Sequence, residues 1–109
     1  MLKVFLSHEM SGLDEEYVVE RRNKIAEVVE MYINAFTSYN PSGEHIEIID
    51  NYHHYDAPEN AGRLWHLGRS IQQMEEADLV VFISHWSNSK GCKVEKFLCK
   101  VYKIPYIKL

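Results

Sequence analysis

Five consecutive apolar residues, Leu79-Val80-Val81-Phe82-Ile83, constrain this 109-residue chain more than any other feature. A run with no polar face to turn toward water predicts a strand covered on both sides. Strands of that kind belong to parallel sheets, whose crossover connections lay helices above and below. The rest of the chain must therefore supply further strands and the helices that join them.

It does so in alternation. Leu2–Leu6 is a short apolar run closed by Ser7 and the Ser11-Gly12 break, which predicts a first strand. From Asp14 a helical period begins, with Val18, Ile25, Val29, Tyr32, Ile33 and Phe36 on one face. Asn40-Pro41-Ser42-Gly43 supplies turn chemistry, and Ile46, Ile48 and Ile49 predict a second strand ending at Asp50. After the polar, aromatic stretch from Asn51 to Pro58, a second helix is predicted from Leu64, Leu67, Ile71 and Met74, with Gly68 on its apolar face. Beyond the central run lie a small-residue loop, Ser84–Gly91, and a helix marked by Val94, Phe97, Leu98, Val101 and Tyr102. Ile104-Pro105-Tyr106-Ile107 reads as a last strand. The order β-α-β-α-β-α-β predicts a three-layer α/β/α fold, flavodoxin-like or Rossmann-like, with a four-stranded parallel sheet. Right-handed crossovers select the strand order 2-1-3-4.

Composition is that of one ordinary domain spanning residues 1–109, 46% hydrophobic and 26% charged. A net charge of −4 gives no support to a nucleic-acid polymer as partner, while a single nucleotide needs only a local anion site. The N-terminal apolar run is too short for a signal peptide or a membrane span, so a cytoplasmic protein without membrane contact is expected. Cys92 and Cys99 fall on one helix roughly 10 Å apart along its axis, too far for a mutual disulfide. Two reduced, core-facing thiols fit that compartment.

In an open parallel sheet, ligands bind beyond the carboxyl ends of the strands where their order reverses. Order 2-1-3-4 places that point between strands one and three, flanked by Ser7–Leu13 and Ser84–Gly91. Within the first loop Ser7, Met10, Ser11 and Gly12 are candidate substrate contacts. In the second, Trp86, Ser89 and Gly91 lead into a helix N-terminus, whose N–H groups favour a phosphate. These small residues serve equally well as turn formers and a helix cap, and Trp86 fits either a base-stacking or a core-covering role. Glu95 is expected near the first helical turn, held ionised by the helix dipole as a nucleophile must be, or simply solvated there. His53, His54 and His85 lack any paired metal-ligand spacing, so no metal is expected.

The segment EADLVVFISHWSNSKGCKVEKFLCKVYKIPYI resembles the C-terminal half of the nucleoside 2-deoxyribosyltransferase superfamily. The matching pattern is Asp78 opening a strand, Gly91 four residues before Glu95, then a helix and the Ile104-Pro105 strand. The start, KVFLSHEMSG, is similar to the family's first strand and small-residue loop. The likeness spans nearly the whole chain and is closest to small bacterial and phage members with a G-C-x-x-E motif. It implies that Glu95 attacks the anomeric carbon of a (deoxy)nucleotide and displaces the base, following retaining-glycosidase logic with no cofactor. Ser89 matches a position that is Asp in the transferases and Ser in the deoxynucleoside 5′-monophosphate hydrolases, where it helps hold the phosphate. A monophosphate substrate and a homodimer or larger homo-oligomer are implied.

One position departs from that pattern. Catalytic members carry a second Asp eight residues before the strand Asp, involved in protonating or orienting the leaving base; this chain has Ser70. Asp56, Glu59 and His85 are the loop groups left to act as the acid. Arg63 or Arg69 could supply a cation for phosphate. Without an acid the same crevice becomes a nucleotide-binding or sensing module, and the aromatic residues Tyr52, Tyr55 and Trp65 offer a third role in partner or homodimer contact.

Overall fold

The computed structural model describes residues 1–8, 15–49 and 57–109, with the side chains of 15–19 left aside. Its elements are β1 (Leu2–Ser7), α1 (Glu15–Phe36), β2 (Ile46–Ile48), α2 (Arg63–Met74), β3 (Leu79–Phe82), α3 (Lys90–Tyr102) and β4 (Tyr106–Lys108), with a 3-10 turn at Trp86–Asn88 before α3. All three strand pairings are parallel, in the order β2-β1-β3-β4. The expected α/β topology is therefore present, and β1 and β3 occupy the centre, where both faces need apolar cover.

Side-chain alternation along the strands divides the core in two. Leu2, Val4 and Leu6 of β1 join Ile46, Leu79, Val81 and Ile83 beneath Val29 and Ile33 of α1. Phe5, Val80 and Phe82 point to the other face, against Met74 of α2 and Cys99 of α3. Ser7 continues the Phe5 side of β1, so its hydroxyl belongs to the layer of α2 and α3. Asp78 latches the opposite, N-terminal end of the central strands: its Oδ2 accepts from the Lys3 amide at 2.8 Å and its own amide donates to the Lys3 carbonyl at 2.8 Å. The Asn40–Gly43 turn forms as its residues dictate. Gly43 takes a left-handed φ of 67°, its amide donates to the Asn40 carbonyl, and the Asn40 side chain bridges Asn34 and Glu44.

Val29 and Ile33 of α1 and Met74 of α2 are buried as their apolar periods predict, but other positions of those periods, most of them in α3, are not. Leu64 is 82% exposed, and Phe36, Val94, Phe97, Val101 and Tyr102 also face solvent. In α3 the inward face is instead Cys92, Glu95 and Cys99, and in α2 it includes Ser70 and Met74. Gly68 is exposed and an added Cβ would meet nothing within 4 Å, so it does not mark a close helix contact. Tertiary placement has overridden the local pattern: the short, strongly apolar β3 fills the core, and α3 turns a polar edge toward the end of β1.

Candidate functional site

The feature that organises the site is a carboxylate inside the protein. Glu95 is 6% exposed, and its Oε1 accepts a hydrogen bond of 3.1 Å from Oγ of Ser7, which is itself buried. Its other oxygen, Oε2, is buried with no hydrogen-bond partner among the described residues. Ser7 lies opposite Phe82 in the β1–β3 register, at the carboxyl ends of both strands. The pair therefore sits where the strand order reverses, the position that open parallel sheets use for ligands.

Glu95 comes five residues after Lys90, the first residue of α3, and so lies in the second turn rather than the first. The stabilisation offered by the helix N-terminus fades within one turn. Burial dominates instead and raises the carboxyl pKa from 4.5 to about 7, with the Ser7 hydrogen bond opposing that rise. The expected permanently ionised side chain is thus replaced by one that changes charge near neutrality. Cys99, one turn further on, has its thiol pushed up to about 11, first by burial and second by the charge of Glu95. It remains neutral and unreactive at ordinary pH.

The preceding loop is more structured than its small residues suggest. Ser89 is the N-cap of α3, its Oγ accepting from the Cys92 amide at 3.3 Å. Gly91 lies inside the helix. A Cβ there would sit 3.7 Å from Leu67 Cδ1 and 3.8 Å from Ser89 Oγ, both ordinary contacts. Trp86 packs its ring against Phe82 at 5.5 Å between centroids, while the Lys96 and Lys108 ammonium groups lie 4.9 and 5.6 Å from its centre. That arrangement is the core-covering role for Trp86, with cation–π contacts on the ring in place of an open stacking surface.

His85 is exposed and left-handed, with φ 69°, immediately before the 3-10 turn at Trp86–Asn88. Ser70 is buried on α2 one turn before Met74. Glu59 and Arg63 are exposed, and Arg69 Nη1 donates to Gln72 Oε1 at 3.1 Å. Met10, Ser11, Gly12, Tyr52, His53, His54, Tyr55 and Asp56 lie outside the described residues. The structure thus joins Ser7 to Glu95 directly and sets Ser89 and Gly91 on the same helix, while Trp86 turns to other partners. Two further buried groups were not tied to this region by the sequence: His8, and Cys99, which was expected only as a core-facing thiol. His8 follows Ser7 at the end of β1, where a polar residue after an apolar strand was the available signal. Cys99 is placed beside Glu95 by i,i+4 spacing.

Among the described residues no group of three or more His, Cys, Asp and Glu side chains could hold a metal ion. Both cysteines are free and buried. No helix of the described residues is long and apolar enough to cross a membrane. No family model, curated protein or solved structure matches the chain.

Proposed function

We propose that the protein is a nucleotide N-glycosidase or deoxyribosyltransferase-like enzyme that cleaves the base–sugar bond of a (deoxy)nucleoside monophosphate, with Glu95 as nucleophile. The observation that carries this reading is the buried carboxylate at the strand-order reversal, one oxygen held by Ser7 and the other unpartnered. In its ionised form Oε2 attacks C1′ of the sugar. The C1′–N bond breaks and its electron pair leaves with the base, which takes up a proton. Water then attacks C1′, loses a proton and restores the Glu95 carboxylate, so configuration is retained overall. Burial of the carboxylate strengthens its attraction for the positive charge that develops on the sugar. His85, Glu59 and Asp56 are the candidates for the proton that the base requires.

A monophosphate would lie toward the start of α3, where the Ser89 cap and Gly91 leave backbone N–H groups near the crevice. A homo-oligomer working in the cytoplasm completes the reading: two free buried thiols suit a reducing compartment, and α3 leaves Val94, Phe97 and Val101 exposed on one side. Incubation with a panel of deoxynucleoside monophosphates, with free base followed by chromatography, tests the activity. Base release that disappears in Glu95→Ala is the expected result. Absence of release from every nucleotide, with saturable binding by calorimetry, would instead support the binding-module reading that Ser70 motivates.

A further inference from the structure

We infer that Ser7 is the positioning residue of Glu95: it pins Oε1 and so reserves Oε2 as the single oxygen available for reaction. The inference rests on the glycosidase reading for what Oε2 does, and on geometry alone for the division between the two oxygens. A glutamate's terminal torsion is broad and its oxygens are chemically equivalent, so an unrestrained carboxylate presents neither atom reliably. Ser7 removes that freedom. Its backbone is fixed in register opposite Phe82, its side chain is buried, and its hydroxyl donates to Oε1 at 3.1 Å. Oε2 is left buried with no donor among the described residues, a condition rare in folded proteins unless a ligand completes the set.

The same hydrogen bond also bears on charge. Burial favours the neutral carboxyl, and a hydroxyl donor is the group that resists it. On α3 the neighbouring titratable group is Cys99, whose thiol stays neutral. From α2 the buried polar residue is Ser70, which does not titrate. His8 follows Ser7 on the β1 side. Ser7 is therefore placed to decide both which oxygen is left without a donor and how much of Glu95 is ionised near neutral pH.

The test is a carbon-13 NMR titration of the Glu95 carboxyl in the full chain, its resonance assigned by its disappearance in Glu95→Gln. The wild-type midpoint is expected at about 7. Ser7→Ala should move it upward by roughly one unit, about a tenfold fall in the ionised fraction well below the midpoint, and Ser7→Thr should bring it back. Should Ser7→Ala fail to fold, the nearly isosteric Ser7→Cys, with its weak donor, should move the midpoint in the same direction. A midpoint unchanged in the folded variants overturns the inference. The titration reads Glu95 whether or not a nucleotide is turned over. A shift without base release from any nucleotide removes the glycosidase reading and leaves Ser7 as the group that orients and tunes Glu95. Base release that depends on Glu95 but is indifferent to Ser7→Ala, with no shift, removes Ser7 and leaves the glycosidase. With turnover, Ser7→Ala should lower kcat and move the acid limb of the pH profile upward while KM changes little.

Discussion

Ser7 Oγ and Glu95 Oε1 lie 3.1 Å apart although 88 positions separate the two residues in the chain. They meet because β1 and β3 are neighbours in the sheet and α3 returns across the face on which Ser7 points. The contact links the first strand to the last helix and places a carboxylate in an environment of low polarity.

That environment makes stability depend on pH in an unusual direction for a glutamate. The unfolded side chain titrates near 4.5 and the folded one near 7. Between those values the folded chain retains a proton that the unfolded chain has lost. The contribution is fully present below about pH 4.5 and is lost as pH rises through about 7, on the order of 3 kcal/mol in all. Glu95→Gln, which cannot ionise, should match the wild type near pH 5 and be the more stable protein near pH 8.5. Urea unfolding at both values provides the comparison, and parallel pH profiles for the two proteins would rule the effect out.

Ser89 has a role that does not depend on any ligand. Its Oγ caps α3 through the Cys92 amide, so Ser89→Ala should cost about 1 kcal/mol of stability. Ser89→Asp should keep the cap, since aspartate is an equally good N-cap residue, while its charge repels a phosphate. Retained melting temperature with weakened monophosphate binding is the expected outcome, read by thermal unfolding and calorimetry. Equal phosphate binding by the aspartate variant would move the phosphate away from the helix start.

Gly91 separates folding from function in a similar way. The space around its Cα admits a methyl group with only ordinary contacts. Gly91→Ala should therefore stabilise the helix by about 0.5–1 kcal/mol, because alanine loses less backbone freedom on folding. If the helix start is a phosphate site, the same methyl group should weaken nucleotide binding. A destabilised Gly91→Ala protein would show that the approach of α2 and α3 is tighter than described.

The exposed apolar residues of α3 and the buried ones of α2 should respond very differently to truncation. Met74 is almost fully buried between helix and sheet, and Met74→Ala should cost about 2–5 kcal/mol. Phe97 is 64% exposed, and Phe97→Ser should change the stability of the isolated chain by less than about 1 kcal/mol. Denaturant midpoints at low protein concentration measure both. A large loss at Phe97 that grows with protein concentration would reveal that a second copy covers this helix.

Much of the fold can be read from short stretches. Leu79–Ile83 requires cover on both faces, and the alternation of strands with helical periods leaves few topologies that obey right-handed crossovers. The turn at Asn40–Gly43 follows from its own residues. Asp78 shows the limit of motif reading. Its place before the central strand was evident, but its function as a latch on the Lys3 amide depends on β1 lying alongside.

The periodicities of α2 and α3 showed that helices form without showing which way they turn. Leu64 and Phe97 have the spacing of core residues and lie in solvent, while Ser70 and Glu95 lie inside. Helical period is a local property, whereas the buried face is chosen by the sum of contacts with the sheet. For the same reason sequence alone identified Glu95 as the carboxylate of interest and placed it near the strand ends. Only tertiary structure brought Ser7 to it, removed its water and raised its pKa, because desolvation and hydrogen bonding depend on groups that are neighbours in space and distant along the chain.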